Sequence, residues 1–200
     1  SLIFTTGVIP AISTTVKRMT NTGDNIVIPT PVYDMFFHSV ENHGRHVLEC
    51  PLQCNDQEYT MDFEDLEKKL SDPLTTLMIL CNPHNPVGKV WTGEELQKIG
   101  SLCKKHHVVV LSDEIHCDLT LNQAEYVPFA AASAECAQNS ITCIAASKAF
   151  NLAGFQSAAV YIPNEGIRAV MDRGLNSDEV AEPNCFAIEL MLTKLTKVNE

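Results

Sequence analysis

The chain has 200 residues, 45% hydrophobic and 20% charged, which suits one globular α/β domain with its own core. Its formal net charge of -11, with no basic run, argues against nucleic acid or an anionic membrane as partner. The 8 cysteines include no Cys-x-x-Cys pair, which predicts reduced thiols in the cytoplasm rather than disulfides or a metal site, and no run is long and apolar enough to span a membrane.

Leu2–Phe4 reads as an apolar strand. From Gly7 to Asn21 the apolar residues recur at helical spacing, with Val8, Ile12, Val16 and Met19 on one face. Asn25–Pro29 is a short strand, Tyr33–Asn42 a helix closed by His43-Gly44, and His46–Cys50 another strand. Asp62–Leu70 reads as a helix that buries Leu66 and Leu70. Thr75–Cys81 is continuously apolar, a buried strand that stops at Asn82-Pro83-His84-Asn85-Pro86-Val87-Gly88. Thr92 opens a helix to His106, with Glu95 three residues on completing a capping box. Val108–Leu111, Ile141–Ala146 and Ala158–Ile162 are further strands, and Gly166–Gly174 and Cys185–Leu195 further helices. Short apolar strands alternating with helices predict a three-layer α/β/α fold with a mainly parallel sheet covered on both faces. Residues 1–200 carry no repeat or linker and read as one domain. Both ends interrupt apolar patterns, so the chain is expected to be a piece of a longer polypeptide.

In such a sheet the ligand sits beyond the carboxyl ends of the strands. Asn82 and Asn85 follow one strand end, Asp113 a second, Lys148 a third and Tyr33 a fourth, while Thr6-Gly7-Val8 opens a helix. Lys148 at the tip of a buried strand is expected to be desolvated, which favours a neutral amine able to form a Schiff base. Each group suits one part of pyridoxal 5'-phosphate. A helix N-terminus offers N–H groups to the phosphate. Asp113 can hold the ring nitrogen protonated, Asn85 can donate to the phenolate oxygen, and Tyr33 and Ile115 can flank the ring. Taken singly, Asp113 also reads as a helix cap, Asn82 to Asn85 as a tight turn, and Tyr33 as core; His84, His106 and His107 read as surface or capping residues.

Asn82-Pro83-His84-Asn85-Pro86-Val87-Gly88, Ser112-Asp113-Glu114-Ile115-His116 and Ser147-Lys148-Ala149-Phe150-Asn151, in that order, resemble the fold-type-I pyridoxal-phosphate enzymes. Phe4 to Ile12, Pro31 to Phe36 and Glu182-Pro183-Asn184 are similar to the cystathionine β-lyase (cystalysin-like) carbon–sulfur lyases filed among class I and II aminotransferases. The resemblance implies catalytic roles for Lys148, Asp113 and Tyr33. It implies a cofactor site of Gly7, Val8, Ile9, Tyr33, Asn85, Asp113, Ile115, His116, Ser147 and Lys148. It further implies a sulfur amino acid as substrate, a homodimer, and a chain that is the cofactor-binding large domain alone.

Two positions depart from the pattern. His116 stands where aminotransferases often have a tyrosine, as in the lyase branch, and Ala145 stands where the family usually has a serine that touches the phosphate. None of Arg18, Arg45, Arg168 and Arg173 stands in the motif that grips the substrate carboxylate, and Arg168 and Arg173 read as solvated helix positions. The expected reaction is α,β-elimination from cystathionine or cysteine to thiol or sulfide, pyruvate and ammonia. The alternatives are an aminotransferase and a cofactor-binding regulatory protein without turnover.

Overall fold

The computed structural model describes residues 2–56, 58–120 and 124–189. β1 (Leu2–Thr5) leads into α1 (Val8–Met19), β2 (Asn25–Thr30), α2 (Met35–Glu41) and β3 (His46–Pro51). A small hairpin, β4 (Gln53–Asn55) and β5 (Glu58–Thr60), precedes α3 (Phe63–Leu70), β6 (Thr75–Cys81), α4 (Gly93–Lys105) and β7 (Val109–Asp113). Two short helices, α5 (Phe129–Ala132) and α6 (Ala134–Gln138), lead to β8 (Ser140–Ile144). A 3-10 turn at Ala153–Phe155, β9 (Ala158–Tyr161) and α7 (Glu165–Ser177) complete the order.

The main sheet runs β1-β9-β8-β7-β6-β2-β3. β3, β2, β6, β7 and β8 are parallel neighbours. β9 is antiparallel to β8 and β1 antiparallel to β9, so β9 alone runs backward. Along β6, Leu77, Ile79 and Cys81 face α1, α2 and α7, while Met78 and Leu80 face the layer of α3 to α6. A strand buried on both faces explains why Thr75–Cys81 is apolar without alternation. The mainly parallel, three-layer architecture expected from the sequence is the one observed.

Local chemistry sets the element ends. Thr92 and Glu95 form the expected capping box: the Thr92 hydroxyl accepts from the Glu95 N–H and the Glu95 carboxylate from the Thr92 N–H. Asp62 caps α3 by accepting from the Glu64 and Asp65 N–H groups. The helix expected from Tyr33 begins at Met35, which leaves Tyr33 on the preceding turn. The helix expected at Cys185–Leu195 falls largely outside the described residues. Arg168 differs from its expected solvated role: it is half-buried and donates to the Ile162 and Pro163 carbonyls at 3.0 Å, because the chain before α7 turns back over that helix's first turn.

Gly100 lies where α4 packs tightly on α6. A Cβ there would lie 2.3 Å from Cys136 Sγ, which is itself buried. Gly100→Ala gains at most about 1 kcal/mol of helix propensity, whereas overpacking a filled core costs about 1–3 kcal/mol. The variant is therefore expected to unfold at lower urea than the parent in a denaturation curve; an unchanged or higher midpoint would show that the α4–α6 contact yields freely.

Candidate active site

The strands position the site by ending at a common level. β6 ends at Cys81, pairing with Asp113, the last residue of β7, which in turn pairs with Cys143 of β8. β2 ends one residue before Pro31 and three before Tyr33. α1 starts directly after β1, so its N-terminus opens at the same edge, and no side chain caps that end. Its first N–H groups have no intrahelical partner.

A cleft of about 280 Å³ lies at this edge. Gly7, Val8 and Ile9 line it from α1 and Tyr33 from the β2–α2 turn. Asn85, Asp113, Ile115, His116, Ser147 and Lys148 complete the expected set. The cleft is small beside typical ligand pockets of about 300–1,000 Å³, which suits one flat ring and its substituent. Thr6, named with Gly7 and Val8 at the helix start, also lines it, as do Cys81, Ala153, Gln156, Ser157 and Ala158, which the sequence did not single out. Tyr33 is 43% exposed and meets Phe36 edge-on with centroids 6.1 Å apart, so it is an open aromatic face and not core.

Lys148 departs from expectation. β8 ends at Ile144, two residues short of Ala146, and Lys148 sits beyond it on a run of turns. On those turns it is exposed, whereas the sequence predicts a desolvated strand tip.

Asp113 and Glu114 are adjacent, both buried, and differently satisfied. Asp113 Oδ1 accepts from the Ile115 N–H at 3.1 Å. Burial pushes its carboxyl up to about 7; the negative charge of Glu114 adds to the rise, and the Ile115 N–H and the charge of Lys148 oppose it. Glu114 is saturated with donors: the Ser112 hydroxyl and the Phe129 N–H at 2.8 Å, the Asn82 amide at 3.4 Å, and the Tyr126 hydroxyl. Asp113 therefore keeps lone pairs free for a cation, while Glu114 fastens the residue 126–129 segment to the strand end. Asn82 belongs to this second network and not to the cleft.

His84, expected at the surface, is 1% exposed. Its Nε2 bonds the Pro31 carbonyl oxygen at 2.9 Å and its ring meets Trp91 edge-on, because the Asn82–Gly88 turn folds inward over Trp91. Burial holds its imidazole below the usual histidine range. His116 is likewise lowered, by burial and then by the charge of Lys148. A larger cleft of about 780 Å³ adjoins the first, shares Asn85 and His116 with it, and includes Glu58, Tyr59 and Lys89 in its wall. None of the four arginines lines either cleft; Arg18 pairs with Asp178, and Arg45 binds the Thr20 hydroxyl and carbonyl groups around it.

Ser157 Oγ is shut off from solvent without a hydrogen-bond partner at the cleft wall. With an uncapped helix N-terminus and a buried carboxylate holding free lone pairs, the cleft presents donors at one end and an acceptor at the other. That donor set fits a phosphorylated pyridine aldehyde.

Residues 1–185 match the sequence pattern of aminotransferase class I and II. The chain belongs to that family. It is 48% identical over 188 residues to cystathionine beta-lyase PatB of Bacillus subtilis, covering 94% of this chain and 49% of that protein. It is 32% identical over 189 residues to protein MalY of Escherichia coli, covering 94% and 48%. The crystal structure of cystalysin from Treponema denticola, which contains a pyridoxal 5'-phosphate cofactor, superposes with a TM-score of 0.91 at 37% identity, over 94% of this chain and 48% of that one. The chain spans about half the length of the relatives it matches. Family membership and the architecture expected from the sequence therefore stand together.

Proposed function

We propose that the chain is the cofactor-binding large domain of a pyridoxal-5'-phosphate-dependent carbon–sulfur lyase acting on cystathionine or a related sulfur amino acid. The observation that carries this reading is the shared cleft of Asp113 and Lys148 beside an uncapped helix N-terminus. Lyase names among the relatives favour elimination over amino transfer. The cofactor, when bound, supplies an electron sink conjugated to the substrate Cα. The Gly7, Val8 and Ile9 backbone would hold its phosphate, Asp113 its ring nitrogen and Asn85 its phenolate oxygen. Tyr33 and Ile115 would flank the ring, with His116 and Ser147 closing the wall. Lys148 would hold the aldehyde carbon until the substrate amine takes its place there, and its freed amine would then take the proton from the substrate Cα. The electron pair of the Cβ–S bond leaves with the thiol, and the remaining enamine takes up water to give pyruvate and ammonia. The adjoining cleft supports a substrate longer than cysteine.

The group that grips the substrate carboxylate belongs to this proposal as a part outside the 200 residues, as do a homodimer and a cytoplasmic setting. Buried thiols such as those of Cys81, Cys103 and Cys143, pushed up by burial, support a reducing compartment. Full-length protein carrying this domain, loaded with cofactor, should release thiol, pyruvate and ammonia in equal amounts from cystathionine without added keto acid; the 200 residues alone should release none. Amino transfer that leaves the sulfur attached would replace the lyase reading with the aminotransferase one. Cofactor binding with neither reaction would leave a binding protein.

A further inference from the structure

Five buried side-chain atoms among the described residues lack a partner: Asn82 Oδ1, His84 Nδ1, Ser140 Oγ, Thr142 Oγ1 and Ser157 Oγ. Of these residues, Ser157 alone lines the cleft that holds Asp113 and Lys148. A buried hydroxyl without a partner is costly and calls for an explanation.

The strand register supplies one. Thr5 pairs with Ala158 and Ile144 with Ala159, both in antiparallel ladders. Carried beyond the strand ends, those registers bring Ser157 level with Thr6 on one side and with Ala146 on the other. Ser157 thus lies between the uncapped start of α1 and the turns that carry Lys148, in the cleft that Ala145 also lines. The chain enters this position through Gln156, whose φ of 47° and ψ of 57° are left-handed, an unfavourable backbone for a residue with a side chain.

We propose that Ser157 donates its hydroxyl hydrogen bond to the cofactor phosphate, supplying from β9 the contact that alanine at 145 cannot make. The inference rests on the pyridoxal-phosphate reading of the cleft. It makes Ser157 a determinant of phosphate recognition, separate from the ring contacts of Asp113 and Tyr33.

The test compares two ligands that differ only in the phosphate. Cofactor-free protein is titrated with pyridoxal 5'-phosphate and with pyridoxal, followed by absorbance. Ser157→Ala is expected to weaken the phosphorylated ligand about 10- to 100-fold while leaving pyridoxal unchanged, and to shift the ³¹P resonance of the bound phosphate. Adding Ala145→Ser to Ser157→Ala should restore much of the lost affinity, since it returns a hydroxyl to the same end of the cleft. Equal weakening of both ligands, or none, would overturn the role of Ser157 and leave the site reading intact. A parent protein that binds neither ligand would overturn the site reading and this inference together.

Discussion

Replacing Lys148 with alanine should lower pyruvate release from cystathionine by about 10²- to 10⁴-fold, the range for losing a positioned acid–base group. The residue has two tasks in the proposed reaction, holding the aldehyde carbon and moving the Cα proton, and nothing else in the cleft can do both. Its exposed position matters here, because an amine that must leave the cofactor for the substrate needs room to swing. His116 lines the same cleft and is held below the usual histidine range by burial, so it stays neutral at physiological pH and can take a proton weakly. Residual turnover should therefore persist and rise with added small amines such as methylamine. Borohydride reduction of the loaded parent should fix cofactor mass on the peptide containing Lys148, and the variant should carry none there. A variant that keeps a tenth or more of parental turnover, or a label on another residue, would remove Lys148 from its role.

Asp113→Asn should have opposite effects with and without cofactor. In the cofactor-free fold the carboxyl is raised from its ordinary value of 3.8 to about 7, chiefly by burial. Between those values the native state holds a proton that the unfolded chain has lost, so stability falls as pH rises through the window and is lowest above it. Asparagine mimics the protonated carboxyl and keeps the acceptor for the Ile115 N–H. At pH 8 the cofactor-free variant should exceed the parent by up to about 4 kcal/mol, a shift of roughly three units at about 1.4 kcal/mol each, and near pH 4 the two should coincide. With cofactor bound the order should reverse, because the protonated ring nitrogen would lose its anionic partner when asparagine replaces the carboxylate. Urea denaturation at both pH values, with and without pyridoxal 5'-phosphate, checks all four arms. A gap that does not widen with pH would mean that Asp113 is ionised in the empty fold.

The sequence made the frame of this site legible because burial on both faces of β6 and β7 leaves uninterrupted apolar runs, and the polar residue that ends each run marks the carboxyl edge. Of the residues named from those run ends, Tyr33, Asn85, Asp113 and Lys148 line one cleft, and Asn82 instead joins the Glu114 network behind it. What stayed hidden has physical reasons. β4 and β5 are polar, three residues each, and joined without an Asn-Gly or Asp-Gly signal. α5 and α6, at four and five residues, are too short for a helical period to be counted. Ala145 and Ala146 extend the apolar run without belonging to the strand, so the sequence pattern puts the end of β8 two residues late and Lys148 at a strand tip. Ser157 was invisible for another cause: an apolar run such as Ala158–Ile162 does not reveal its direction. Because β9 runs backward, the residues that reach the carboxyl edge there precede the strand instead of following it.

The bond from His84 to the Pro31 carbonyl ties the turn that carries Asn85 to the turn that carries Tyr33. Amide and phenol ring are therefore mounted on a single post, with Trp91 as its foot. Motion of either turn is passed to the other, so a ligand that settles under the tyrosine also sets the asparagine, and the loss of freedom is incurred once for both.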